Sequence, residues 1–426
     1  MLKINNSDAY QQACKFLPGG VNSPVRAFRG MNTPPVFIKS AKGSKLYSIE
    51  NKEYIDFCLS WGVSIAGHAR RKIIKRTMEA INRGTSYGCA TLGETELAKN
   101  ILAAFGTENK IRFANSGTEA VMSAIRLARA ITQRDIIVKF DGGYHGHSDS
   151  LLVGAGSGVA YLSFASSQGI PQKTIETTMS LPFNNEEALK EVFHKNGQHI
   201  AAIILEPIPA NMGLVPPKPG FLEFLRKITR LHGSLLIYDE VITGFRKRVG
   251  SIVESNEIEA DLYTVGKIIG AGFPIGAYLG KAEYMDLIAP SGPVYQAGTL
   301  SGNPVAVAAG LAMLEIISES NFYGKLHKKC EQFYSLLQNI IENYPVSMES
   351  NGSMFTIFFR KEKPINFNEA KETDTKRFSQ FYCNLLDKGV YLSPAQLETN
   401  FISIKHSMRD LENTAQIIED SLKKVF

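Results

Sequence analysis

Lys267 closes the apolar run Leu262-Tyr263-Thr264-Val265-Gly266 and opens Ile268-Ile269-Gly270. An amine held at the floor of a cleft, its charge depressed by its surroundings, condenses with an aldehyde to an imine; in a surface turn the same residue is inert. Upstream, Leu235-Leu236-Ile237-Tyr238 ends in Asp239-Glu240. A carboxylate there is either a solvated strand end or the partner of a buried cation, because an unpaired buried carboxylate is costly. Ser116-Gly117-Thr118-Glu119 follows the strand-like Ile111 to Phe113 and opens a helical stretch. Ser116 with Glu119 fits a capping box. The same turn offers backbone N–H groups, two hydroxyls and the positive end of a helix dipole to a phosphate. The sequence contains no G-x(4)-G-K-[ST] and no G-x-G-x-x-G, which disfavours a nucleotide. Tyr144 lies in Gly142-Gly143-Tyr144-His145-Gly146-His147, placed to stack on a flat ligand. His145 and His147 lack a nearby third histidine or cysteine, so no metal is expected.

Each signal also has a bland structural explanation; their order along the chain narrows the reading. An aromatic aldehyde carrying a phosphate and a protonatable ring nitrogen needs a lysine, an acid, an anion turn and an aromatic cover. Pyridoxal 5'-phosphate is that molecule. Lys267 would bind its aldehyde, and Asp239 would keep the ring nitrogen protonated so that the ring absorbs carbanion electrons. Ser116, Gly117 and Thr118 would hold the phosphate, and Tyr144 would cover the ring.

The elements that must position these groups alternate in type. Ile136 to Phe140, Ala201 to Leu205, Ser234 to Tyr238 and Leu262 to Val265 read as buried strands, while Thr118 to Ile131 has Val121, Ile125 and Ala128 on one helical face. That alternation predicts an α/β fold with a mostly parallel sheet covered on both faces, and ligands at the carboxyl ends of its strands. Residues 60–315 form the expected large domain. Residues 1–59 and 316–426, from both termini, form a small α+β domain. With 44% hydrophobic and 21% charged residues over 426 positions, the composition is that of a globular chain. A net charge of +6 without a basic block points to anionic metabolites rather than nucleic acid. Five scattered cysteines, no membrane-length apolar run and a polar N-terminal stretch give the expectation of a cytoplasmic protein that binds no membrane.

The chain resembles the class III aminotransferases of fold-type I, and among them those that move an amino group within one substrate. Asn115-Ser116-Gly117-Thr118-Glu119-Ala120 and Asp239-Glu240-Val241-Ile242-Thr243-Gly244-Phe245-Arg246 carry the general likeness. The segments from Gly19 to Phe28 and from Val294 to Pro304 carry the likeness to the aminomutase branch. The resemblance implies Lys267 as the Schiff-base lysine, Asp239 as the ring-nitrogen partner and Val241 on the ring face opposite Tyr144. His145 and Asn211 would join the cofactor site. Gly298 and Thr299 would reach the phosphate of the neighbouring subunit, making a homodimer with shared active sites. Ser23, Arg26, Trp61, Ser157 and Glu398 would contact a small-molecule substrate, an arginine being suited to its carboxylate. Glu398 replaces the arginine that ordinary transaminases use for a second carboxylate.

The implied reaction converts (S)-4-amino-5-oxopentanoate to 5-aminolevulinate, a tetrapyrrole precursor, through 4,5-diaminovalerate and the pyridoxamine 5'-phosphate form of the cofactor. Tyr144 joins Lys267 and Asp239 as an expected catalytic residue. Residues 153–170, with Gly154, Gly156 and Gly158, read as a lid. Asp141 stands where relatives carry a pocket glutamate, Ile208-Pro209-Ala210-Asn211 replaces Val-Ala-Gly-Asn, and Gly67-His68-Ala69-Arg70-Arg71 replaces Gly-His-Asn-His-Pro. The rival readings are a transaminase acting between separate amines and keto acids, a non-catalytic phosphate-ligand binder, and a metal hydrolase using His145 and His147.

Overall fold

The computed structural model describes residues 4–106, 108–155, 163–255 and 258–426. It divides into two compact units, one of residues 72–318 and 365–367, the other of residues 1–71, 319–364 and 368–426.

The first of these units is built on a seven-stranded sheet. Its spatial order is Asn109–Ala114, Gly276–Lys281, Leu262–Val265, Leu235–Glu240, Ile200–Leu205, Ile136–Phe140, Thr178–Leu181. The central strands are buried at every position, as continuous apolar runs covered on both faces must be. The sheet is not wholly parallel. Gly276–Lys281 runs antiparallel to both of its neighbours. The connection from Val265, residues 266–275, is too short for the crossover that a parallel pair needs. Helix Gly117–Thr132 covers part of the sheet with Ala120, Val121, Ala124, Ile125, Leu127 and Ala128, all buried. Each such aliphatic side chain of valine size or larger contributes roughly 1.5–3 kcal/mol.

One edge of the sheet therefore collects the chemistry. Ala114, Phe140, Leu205, Glu240 and Val265 are the last residues of strands that run the same way, and Gly276 begins the strand that returns beside them. Beyond Phe140, Val153–Ala155 pairs antiparallel with Ser163–Ala165. Buried Lys139 donates to the carbonyls of Leu151 and Val153 at 3.2 and 3.1 Å, and burial holds its ammonium pKa below the usual range. Of the expected lid, residues 156–162, including Ser157, lie outside the described residues.

The other unit holds a four-stranded sheet (Ile38–Lys42, Lys45–Ser48, Glu53–Asp56, Val390–Tyr391) and a three-stranded one (Ser347–Asn351, Met354–Phe358, Asn400–Phe401). Helices Phe322–Ile341, Thr375–Asp387 and Met408–Val425 pack within it. Phe57 lies at its centre, stacked on Phe333 at 5.6 Å and edge-on to Phe355 at 5.8 Å, with the His406 ring 4.7 Å away. Among the described residues no single helix is long and apolar enough to cross a membrane.

Candidate active site

The residues singled out for chemistry meet at that sheet edge. Ser116, Gly117, Thr118, Tyr144, His145, Asn211, Asp239, Val241 and Lys267 line one cavity of about 220 Å³, together with Gly146, Glu206, Val121 and Ile242.

Asp239 is nearly fully buried and its carboxylate is fixed from two sides. Oδ1 accepts the Val241 N–H and the Thr264 hydroxyl, both at 3.1 Å, and Oδ2 lies 2.8 Å from His145 Nδ1. A carboxylate offers about four acceptor positions. Three are used, which leaves one for a ring N–H in the cavity it lines. His145 thus acts on Asp239, and its Nε2 is buried with no hydrogen-bond partner among the described residues. His147 does not line the cavity; its Nδ1 lies 3.3 Å from Thr118 Oγ1.

The anion turn departs from the expected capping box. Ser116 Oγ accepts the Glu119 N–H at 3.2 Å, but Glu119 Oε2 reaches past Ser116 to the Asn115 N–H at 2.8 Å and the Asn115 amide at 3.1 Å. The reciprocal bond moves one residue back, and the Ser116 N–H is left out of the box. The first N–H groups of the helix have no intrahelical acceptor, so Gly117 and Thr118 present donors and dipole to an anion. Glycine at 117 is a matter of space: a Cβ there would lie 2.9 Å from Val241 Cγ1. Gly276 is tighter, its would-be Cβ 2.2 Å from the Ser116 carbonyl oxygen and 3.0 Å from the Gly117 nitrogen. Gly276→Ala is expected to push the turn out of shape, costing about 1–3 kcal/mol of stability. Titration of the apoprotein with pyridoxal phosphate should show affinity weakened by roughly tenfold or more, since about 1.4 kcal/mol corresponds to tenfold.

Glu206 escaped the sequence reading. It follows the apolar run Ile200–Leu205 as Asp239 ends its own run, so the same signal was present. Oε1 accepts the Tyr144 N–H at 3.2 Å, Oε2 accepts the Ala210 N–H at 2.9 Å, and the Asn211 side chain bonds to it as well. One carboxylate therefore ties the loop of Tyr144 to the loop of Asn211. Burial pushes its pKa up, opposed first by the nearby His145. Asp141, expected as the pocket acid, instead accepts the Ser180 hydroxyl at 2.6 Å and is not among the residues lining the cavity. Its shorter side chain is taken up by the neighbouring strand, and Glu206 supplies the carboxylate.

Glu240 points away from this cavity. Its Oε2 accepts from Thr243 at 3.1 Å and from the Ile252 N–H at 3.0 Å, while Oε1 accepts the Ser251 hydroxyl. Complete burial pushes its pKa from an ordinary 4.5 up to about 7. The folded chain thus binds this proton more tightly than the unfolded one. The stabilisation, about 3 kcal/mol from the shift, is full below the unfolded value and lost as pH rises through the folded one. Glu240→Gln keeps the shape without the charge. Its melting temperature should vary less than that of the wild type from about pH 5 to 8.

The expected substrate residues separate on inspection. Arg26 and Trp61 line a cavity of about 480 Å³ in the unit containing residues 1–71. Ser23 does not line it; its carbonyl accepts the Arg26 N–H at 3.1 Å and so shapes the turn that carries Arg26. Glu398 is also absent from the lining, its N–H donating to Ala395 O at 3.1 Å; burial above all raises the pKa of the Cys58 thiol, which does line the cavity, and the Glu398 charge adds least to that rise. Gly298 and Thr299 sit on an exposed loop and do not line the cavity that contains Lys267.

Residues 27–422 match the aminotransferase class-III family. The chain belongs to that family. Among class III proteins it is similar to the glutamate-1-semialdehyde 2,1-aminomutase of a Sulfurihydrogenibium species, 48% identical over 99% of both chains. The protein of that name from Persephonella marina is 48% identical over 100% of both. Among solved structures, an omega-transaminase from Sphaerobacter thermophilus superimposes with a TM-score of 0.92 at 28% identity, over 99% of this chain and 97% of that one. A glutamate-1-semialdehyde-aminomutase from Pseudomonas aeruginosa gives 0.89 at 24% identity, over 99% and 94%, and shows the same fold. The class III cavity here fits pyridoxal phosphate by the chemistry of its donors: an amine, a buried acid with an acceptor to spare and a helix-start anion turn.

Proposed function

We propose that this enzyme converts (S)-4-amino-5-oxopentanoate (glutamate 1-semialdehyde) to 5-aminolevulinate by intramolecular amino transfer, using pyridoxal and pyridoxamine phosphate. The observation that carries the reading is that Lys267, Asp239 and the Ser116–Thr118 turn line one cavity. The names of relatives that match this chain end to end support the choice of substrate. Pyridoxal phosphate, when bound, supplies an electron sink for a carbanion at a substrate carbon. Lys267 Nζ moves protons to and from the substrate carbons. Asp239, braced by His145, holds a proton at the ring nitrogen. Ser116, Gly117 and Thr118 bind the phosphate, and Tyr144, tethered through its N–H to Glu206, covers the ring. Arg26 takes the substrate carboxylate, and Glu398 disfavours a second carboxylate.

A homodimer is part of the reading: Gly298 and Thr299 serve the partner's phosphate. Its support is the exposed apolar side chains Leu92, Tyr295 and Leu300, with Tyr295 and Leu300 on the same loop as Gly298. Sedimentation should give twice the chain mass. The cytoplasm is the proposed compartment, supported by unpaired Cys58 and Cys330 thiols in the core. Purified enzyme given glutamate 1-semialdehyde and no keto acid is expected to form 5-aminolevulinate. A strict requirement for a keto-acid acceptor would make it a transaminase instead.

A further inference from the structure

Asp56 is a buried carboxylate with three hydrogen-bond partners. Its Oδ1 accepts the N–H groups of Cys58 and Leu59 at 2.9 and 3.0 Å, and its Oδ2 lies 2.6 Å from His68 Nε2. His68 is fixed in turn, exchanging two backbone hydrogen bonds with Gly43 at 3.0 and 2.7 Å. The segment that Asp56 caps is a left-handed turn. Leu59, Ser60 and Trp61 have φ of 47, 55 and 53°, and Gly62 follows at 84°. L-residues visit this region singly, not in succession. A run of three persists only where the surroundings enforce it, and strain of this kind collects at functional positions.

The turn delivers Trp61 to the wall of the cavity that also contains Arg26, Asp56, Cys58, His68 and Tyr391. The Arg26 guanidinium lies 5.3 Å from the centroid of the indole ring. An aromatic ring behind a guanidinium occupies its face and leaves its in-plane N–H donors for a planar anion.

We propose that Asp56 is a positioning residue that holds the strained turn so that Trp61 backs Arg26 for the substrate carboxylate. This rests on the reading of Arg26 given above. Trp61 is the only tryptophan of the chain, so emission excited at a wavelength that tyrosine does not absorb reports this turn alone. The probe is levulinate (4-oxopentanoate), which keeps the carboxylate and chain length of the substrate without its amine or aldehyde. Wild type, Asp56→Asn and Asp56→Glu are compared by Trp61 emission, by its response to levulinate and by steady-state kinetics.

Asparagine keeps an acceptor for the Cys58 and Leu59 amides; glutamate keeps the charge but carries it one methylene too far. Asp56→Glu is expected to shift the emission and to raise KM about tenfold or more with kcat little changed, that factor equalling about 1.4 kcal/mol. Asp56→Asn should stay within about threefold of the wild-type KM with unshifted emission, as the turn needs the acceptor rather than the charge. A wild-type Trp61 emission that ignores levulinate sinks the carboxylate reading of the cavity. A wild type that responds, beside an Asp56→Glu protein that matches it, overturns the role of Asp56 alone. An Asp56→Asn protein impaired as much as Asp56→Glu also overturns it, and that comparison with wild type remains decisive if the glutamate variant does not fold.

Discussion

Replacing Lys267 with alanine is expected to lower kcat by about 10³–10⁴-fold, the upper range for losing a positioned acid–base group, while the protein stays folded. The expectation follows from how the residue is held. Lys267 has φ of 44°, a left-handed conformation that costs an L-residue energy, directly after the extended Gly266. The ensuing turn Lys267–Gly270 buries Ile268 and Ile269, which fix the backbone whatever side chain stands at 267. Alanine adopts the same backbone with the same strain, so folding should change little and chemistry greatly. Borohydride should fix pyridoxal phosphate to the wild-type chain, read by intact mass, and should fail to do so in the variant. Lys267→Arg separates charge from nucleophilicity: a guanidinium stays protonated and forms no imine. If Lys267→Arg retains more than a tenth of wild-type turnover, the lysine acts only as a charge and the covalent role is wrong.

How far all this was legible in the sequence depended on whether a feature is written in local composition. The runs Ile136 to Phe140 and Leu262 to Val265 became strands with those bounds, because short, largely apolar, β-branched segments between turn residues have few other fates. The reversed strand Gly276–Lys281 was not legible: Gly-Ala-Tyr-Leu-Gly-Lys has no strong pattern, and strand direction is set by the length of a connection. Glu206 was legible and overlooked, since it ends its run as Asp239 does. The shift of Glu119 from Ser116 to Asn115 was not, because a capping-box pattern reads the same for either backbone N–H. Nor was the left-handed turn at Leu59 to Trp61. Only Gly62 there announces a positive φ; the rest is imposed by an acceptor at Asp56 and by the packing around it.

The second large effect belongs to Asp239. Asp239→Asn preserves volume and removes one charge from the floor of the cavity. The Val241 N–H and the Thr264 hydroxyl, both donors to Oδ1, will hold the asparagine oxygen on their side. Its NH2 then faces His145 Nδ1, which must change from donor to acceptor. The ring proton of His145 moves to Nε2, a buried atom with no hydrogen-bond partner among the described residues. The swap therefore costs twice. The acceptor that would keep a ring nitrogen protonated becomes neutral, and a buried N–H is left unsatisfied, a penalty of about 1–3 kcal/mol. Losing one such preorganised electrostatic contact typically lowers kcat by about 10²–10³-fold, and that is the expected fall here. Cofactor affinity should weaken less, because the phosphate turn and Lys267 are untouched. His145→Gln leaves the carboxylate in place and removes only its brace; a loss of about tenfold, roughly 1.4 kcal/mol, is expected for it. The order matters more than either value. Were His145→Gln to cost more turnover than Asp239→Asn, the imidazole rather than the carboxylate would be the group that acts on the ring, and the division of labour between them would be reversed.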